Sequence, residues 1–147
     1  RNVGVGISQV LPVLVRALSP APGFLHMIEQ PELHLHPALQ AELADVFIEG
    51  GRYASPSAYD HWSRWQKSFL IETHSEHLIL RLLRRIRETT EKRVQEGLDL
   101  TPDDLAVYYA DVTENGTRFL RMEVSPRGEF LTPWPNGFFP ERLNELL

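Results

Sequence analysis

Phe24-Leu25-His26-Met27-Ile28-Glu29-Gln30-Pro31-Glu32-Leu33-His34-Leu35-His36-Pro37 is a short apolar run that stops on carboxylates and closes at a proline. Its length and flanks suit a buried strand, because strands covered on both faces read as continuous apolar runs rather than as alternation. Ser68-Phe69-Leu70-Ile71 repeats the pattern and stops at Glu72-Thr73-His74-Ser75-Glu76-His77. Between the two runs, residues 38–48 place apolar side chains at helical spacing, and Gly50-Gly51 is expected to end that helix. From Glu76 to about Glu96 a further helix is predicted, with Leu78, Ile79, Leu82, Leu83 and Ile86 as its apolar stripe, arginines over the remainder and Gly97 as its stop. Strand, helix, strand, helix predicts an α/β fold with at least two parallel strands.

Ser8 to Leu18 reads as a mostly apolar helix with Ser8 as cap and Pro12 near its first turn, broken by Ser19-Pro20-Ala21-Pro22-Gly23. Arg52 to Lys67 is polar and aromatic and reads as a surface loop or short helix. Leu105–Val112 and Thr117–Val124 are strand-like, and Glu114-Asn115-Gly116 between them is a hairpin signal. A short helix is expected from Pro140 to Leu147. The predicted architecture is thus a partial parallel sheet followed by an antiparallel β-ribbon and a short C-terminal helix. His26, in mid-strand, reads as a core histidine, and Trp62, Trp65 and Trp134 as anchors of their own loops.

The chain has 147 residues, 15 Lys+Arg against 20 Asp+Glu, a formal charge of −5 and no cysteine. Without cysteine there is no disulfide framework, thiolate zinc site, iron–sulfur cluster or thiol nucleophile. No apolar run reaches the ~18–20 residues needed to span a bilayer and no signal peptide is legible, which predicts a soluble, cytoplasmic protein. The acidic balance argues against general nucleic-acid affinity while leaving local patches possible, the arginines at 81, 84, 85 and 87 among them. These read first as a solvated helix face laced with ion pairs. Arg1-Asn2 leads straight into Val3-Gly4-Val5-Gly6-Ile7 without an initiator Met, so the chain is expected to be cut from something longer.

Chemistry concentrates where the two buried strands end, since ligands of open α/β sheets bind at the carboxyl ends of strands. A strand-terminal carboxylate such as Glu29 suits magnesium, which takes oxygen ligands and bridges to phosphates. His74, from the neighbouring strand, is available to hydrogen-bond a phosphoryl oxygen or an attacking water.

Three segments, Gly4 to Leu14, Ile28 to Pro37 and Ile71 to Leu78, together resemble the C-terminal half of ABC-type ATPases, nearest to the predicted ATPases related to the OLD (overcoming lysogenization defect) family. The tail Pro133 to Arg142 is similar to the small C-terminal domain of one branch of those proteins. The resemblance implies a lobe of a P-loop ATPase over residues 1–97 and a small appendage over residues 98–147. It implies ATP and Mg2+ as ligands, with Glu29 matching the Walker B acid that holds the metal. Gln30 stands where a catalytic glutamate is usual, and an amide cannot accept the proton of the attacking water. Either hydrolysis is slow or Glu32 takes over as base. His36 falls in the D-loop position, where aspartate is usual, and His74 matches the switch histidine that senses the γ-phosphate. Gly4, Gly6, Ser8 and Gln9 match the signature segment, which meets the nucleotide of the opposite subunit of a dimer.

Gly-x-x-x-x-Gly-Lys-Ser/Thr, the loop that cradles phosphates, occurs nowhere in the chain. The resemblance implies that it lies in an N-terminal lobe upstream, so the expected partners are that lobe and a second copy of the protein. Two other readings stand beside this one: a non-catalytic dimerisation or binding module whose nucleotide chemistry has decayed, and a metal hydrolase ligated by His34, His36, His74 and His77.

Overall fold

The computed structural model describes residues 4–19, 25–52 and 67–135. The predicted helix at 140–147, Trp62 and Trp65, and nearly all of the Arg52–Lys67 segment lie outside the described residues. The chain divides into two compact units, Arg1–Leu82 with Gln95–Leu98, and Leu83–Val94 with Asp99–Leu147.

In the first unit, helix α1 (Val5–Leu18) precedes strand β1 (Leu25–Glu29), helix α2 (Pro37–Arg52) and strand β2 (Ser68–Glu72). Helix α3 (Glu76–Thr90) follows and passes from the first unit into the second at Leu82–Leu83. β1 and β2 pair in parallel, from Leu25 opposite Ser68 to Glu29 opposite Glu72. Because side chains alternate across a strand, His26, Ile28, Phe69 and Ile71 share one face of the pair. Ile28, Phe69 and Ile71 on that face pack against the core of Ala17, Leu35, Leu43, Ala44, Phe47 and Leu78. The other face carries Leu25, Met27 and Leu70, all more than half exposed, and ends in Glu29 and Glu72.

Three boundaries differ from the sequence expectation, each for a local reason. α1 starts at Val5, four residues before the place a Ser8 cap requires: the Gly4 carbonyl accepts from the amides of Ile7 and Ser8, and Ser8 Oγ donates back to the Val5 carbonyl at 2.7 Å. That start puts Pro12 in the helix interior, where it supplies no amide to the Ser8 carbonyl. α2 runs through Gly50-Gly51 to Arg52 instead of stopping there. A Cβ on Gly50 would collide with the Ala17 carbonyl, so this glycine serves the close crossing of α1 and α2. α3 ends at Thr90, and the chain turns at Glu91-Lys92 with Lys92 left-handed (φ 56°), well before Gly97.

The end of α1 is closed by the lysine that immediately precedes β2. Lys67, 3% exposed, donates its Nζ to the carbonyls of Arg16, Ala17 and Ser19, groups that a helix C-terminus leaves without partners. Burial and then the charge of Arg16 hold its ammonium below the usual lysine range. Burial, with Arg16 and Lys67 adding to it, likewise depresses the His26 imidazole, whose ring lies 5.6 Å from that of Phe69.

The second unit contains the end of α3, a 3-10 turn at Pro102–Asp104, and strands β3 (Val107–Thr113) and β4 (Gly116–Met122), which pair antiparallel through the two-residue turn Glu114-Asn115. Tyr109 and Phe130 hold the ring of Trp134 at 5.6 and 5.0 Å, so this tryptophan does anchor its own segment. The arginine-rich face of α3 is more than a solvated one. Glu88 is 3% exposed and accepts from Arg84 at 2.7 Å and from Arg85 at 2.6 Å. Burial pushes the Glu88 carboxyl up, but these two hydrogen bonds and charges outweigh it and hold it below the usual carboxylate range. Together the units make a mixed α/β fold with one short parallel pair and one antiparallel pair. No helix among the described residues is long and apolar enough to cross a membrane.

Candidate functional site

Parallel pairing in register carries both strand-terminal carboxylates, Glu29 and Glu72, to the same end and the same face of the sheet. Both are exposed. Like charges on directly paired positions repel, so this end of the sheet favours a cation. The pairing continues one residue further, since the Gln30 amide donates to the Glu72 carbonyl at 2.8 Å.

Beyond that bond the two chains diverge. Gln30 and His34 both occupy the left-handed region (φ 44° and 63°), which non-glycine residues adopt sparingly. Between them, residues 31–34 turn, with Pro31 and Glu32 buried and Leu33 and His34 exposed. Leu33 donates its amide to the Gln30 carbonyl and Leu35 to that of Glu32. Leu35 then drops into the core. Glu32, 6% exposed, reaches the neighbouring loop and accepts the His74 amide on Oε1 at 2.8 Å, while its Oε2 is buried with no hydrogen-bond partner among the described residues. The His74 side chain is exposed.

His36 caps α2. Its Nδ1 accepts the Ala38 amide at 3.3 Å, its carbonyl accepts from Leu39 and Gln40, and Pro37 opens the helix at the position where a proline loses nothing.

Gly4, Gly6, Ser8 and Gln9, expected from the resemblance to form a signature segment, lie at and within the start of α1. Gly4 precedes the helix with open space about its Cα. Gly6 faces its own chain: a Cβ there would lie 2.5 Å from the His34 carbonyl oxygen, so its missing side chain lets α1 seat against the loop after β1. Ser8 is exposed and bonded to its own helix. Gln9 lines a shallow depression with Val13, Glu29, Gln30, Pro31 and Leu33. A second depression is lined by Gln30, Glu32, Leu33, His34, Gln40, His74 and Ser75.

Glu29, Gln30, Glu32 and His74 thus gather at one end of the parallel pair, with Gln9 beside Glu29 and His36 further along at the start of α2. Sequence reading set Glu72 aside as a residue that orients His74 or pairs with an arginine, and passed over Gln40. For Glu72 a signal existed, because it ends its strand at the same offset as Glu29. For Gln40, on the polar side of a helix, there was none. Among the described residues no three His, Asp or Glu side chains gather to hold a metal ion, so a histidine-ligated centre built on His34, His36, His74 and His77 finds no cluster.

A family model described as "AAA domain, putative AbiEii toxin, Type IV TA system" matches residues 1–81. No curated protein and no solved structure gave a significant match.

Proposed function

The chain belongs to this AAA-domain family, a nucleotide-binding, ATPase-like class, and from that premise we propose that it is the carboxyl-terminal lobe of a magnesium-dependent ATP hydrolase of the ABC/OLD-like type, working as a nucleotide-gated dimer. One observation carries the reading. Parallel register and the Glu32–His74 bond bring Glu29, Gln30 and His74, from separate stretches of chain, to the carboxyl end of one strand pair, where α/β folds bind ligands.

The donors present fit a magnesium ion: hard carboxylate oxygens on Glu29, with Glu72 beside it, and no competing thiolate. When bound, the ion would neutralise phosphate charge and favour the transition state of phosphoryl transfer. Glu29 holds it. His74, whose ring stands free of the fold while its amide is tied down, donates to a γ-phosphate oxygen. The Gln30 side-chain amide orients the attacking water without accepting its proton, and Glu32 is the nearby carboxylate that could. Gly4 to Gln9, with the amides that open α1, serve the nucleotide of the opposite subunit. The phosphate-cradling loop comes from the N-terminal lobe of the same protein.

ATP turnover by the intact protein, set against Glu29→Gln and Glu32→Gln, tests this. We expect E29Q to lower turnover at saturating ATP by at least about a hundredfold, the scale of losing one electrostatic stabiliser, and E32Q to lower it less. Normal turnover in both variants sinks the assignment. Gln30 and the burial of Glu32 favour a second reading, a module that binds ATP and dimerises without turning it over; ATP-dependent dimers that release no phosphate over hours are its signature.

A further inference from the structure

We infer that Gln40, on the first turn of α2, is a positioning residue that sets where His74 stands. This deepens, and rests on, the role given to His74 above. The two ends of the Gln40 amide are used in opposite directions. Its Nε2 donates to the Leu35 carbonyl at 3.0 Å, on the loop that leaves β1, and its Oε1 accepts from Ser75 Oγ at 2.7 Å, on the loop that leaves β2. Leu35 is the residue before His36, and Ser75 the residue after His74.

Among the described residues, four side-chain hydrogen bonds anchor the β2 loop. The His74 amide is held by Glu32 Oε1, the Ser75 amide by Thr73 Oγ1 at 3.0 Å, and Ser75 Oγ both donates to Gln40 and accepts the Leu78 amide at 3.1 Å as the cap of α3. Glu32 and Gln40 are the two side chains in this set that come from the β1 side. Glu32 fixes the backbone at His74 from before the turn, and Gln40 fixes it from after. Gln40 also lines the depression into which Glu32, His34 and His74 face. A slip of the Ser75 hydroxyl would rotate the loop about the Glu32 bond and carry the exposed imidazole away from its target, and misplacement by about 1 Å costs on the order of a hundredfold in rate. Gln40 touches no substrate in this scheme. It acts through His74.

The test is a double-mutant cycle on ATP turnover by the intact protein, with Gln40→Met, an unbranched side chain of similar length, crossed with His74→Ala. The expected result is a fall in kcat of about ten- to a hundredfold for Q40M with KM for ATP unchanged, and no further fall when Q40M is added to H74A, because the residue it positions is gone. Q40M acting by the same factor in both backgrounds, or turning over like wild type, overturns the inference and leaves the assignment of His74 intact. H74A turning over at the wild-type rate overturns the assignment and the inference together. If Q40M does not fold, Gln40→Ala, which likewise removes both bonds, replaces it in the same cycle, and the same outcomes decide.

Discussion

After Glu29 the chain uses residues 30–36 to reach α2, with two left-handed non-glycine residues and with Pro31, Glu32 and Leu35 buried. After Glu72 it reaches α3 through residues 73–75 alone, of which only Ser75 is buried. The first loop is a frame: it is rooted in the core at Leu35, packed under α1 at His34 and closed by its own turn. The second is hung from it by the bonds from Glu32 and Gln40. Chemistry assigned to His74 therefore depends on residues that precede it by more than thirty positions. Strain at Gln30 and His34, the sort of backbone cost that surrounding structure must over-determine, is the counterpart of that rigidity.

Leu35→Ala breaks the frame hardest. Leu35 lies in the core cluster, and removing a buried leucine side chain costs about 2–5 kcal/mol; urea unfolding followed by circular dichroism should show the loss, and a cost under about 1 kcal/mol would mean that the loop is not rooted there. Gly6→Ala comes next. With its Cβ 2.5 Å from the His34 carbonyl oxygen, α1 must shift away, an overpacking penalty of about 1–3 kcal/mol, readable as a lower midpoint of thermal unfolding; the same change at Gly4, which has open space around it, should be far milder. His36→Ala removes the ring that caps α2 and should cost about 0.5–2 kcal/mol, with the α2 amides at 38 and 39 exchanging faster than those of α3.

The smallest expected effect leaves both loops alone. His26 is buried with its imidazole depressed by burial and by Arg16 and Lys67, so below pH 6.5 the unfolded chain takes up the proton more readily than the folded one. Its contribution is full above pH 6.5 and is lost as pH falls toward and through the lower folded value. His26→Phe should flatten that part of the stability–pH curve; an unchanged slope would show that another group titrates there.

The frame was half legible in the residues. Apolar runs halting at Glu29 and at Glu72 pointed to paired strands, and the hairpin at Glu114-Asn115 announced itself through local turn chemistry. The placement of Glu29 and His74 at one sheet end followed from that pattern. Helix ends were misread where a residue with a local preference was serving a different contact. Gly50 looked like a terminator and is a contact point for Ala17, and Ser8 looked like a cap and bonds within its helix. Gly6, matched to the signature segment, also makes room for the His34 carbonyl of its own chain. The Glu32–His74 and Gln40–Ser75 bonds left no trace in periodicity, because they join loops whose approach depends on the whole first unit folding.

The two kinds of strand pairing also imply an order of events. Thr113 meets Gly116 across a two-residue turn, whereas residue 25 must find residue 68 with all of α2 in between. Closing a long loop costs more entropy before any contact repays it, and a hairpin can zip within about 1–10 μs. Amides of β3 and β4 should accordingly gain protection in pulse-labelled refolding before those of β1 and β2. Glu29 and Glu72 would then become neighbours only after the hairpin has closed, so the end of the sheet where the two carboxylates meet is a late product of folding.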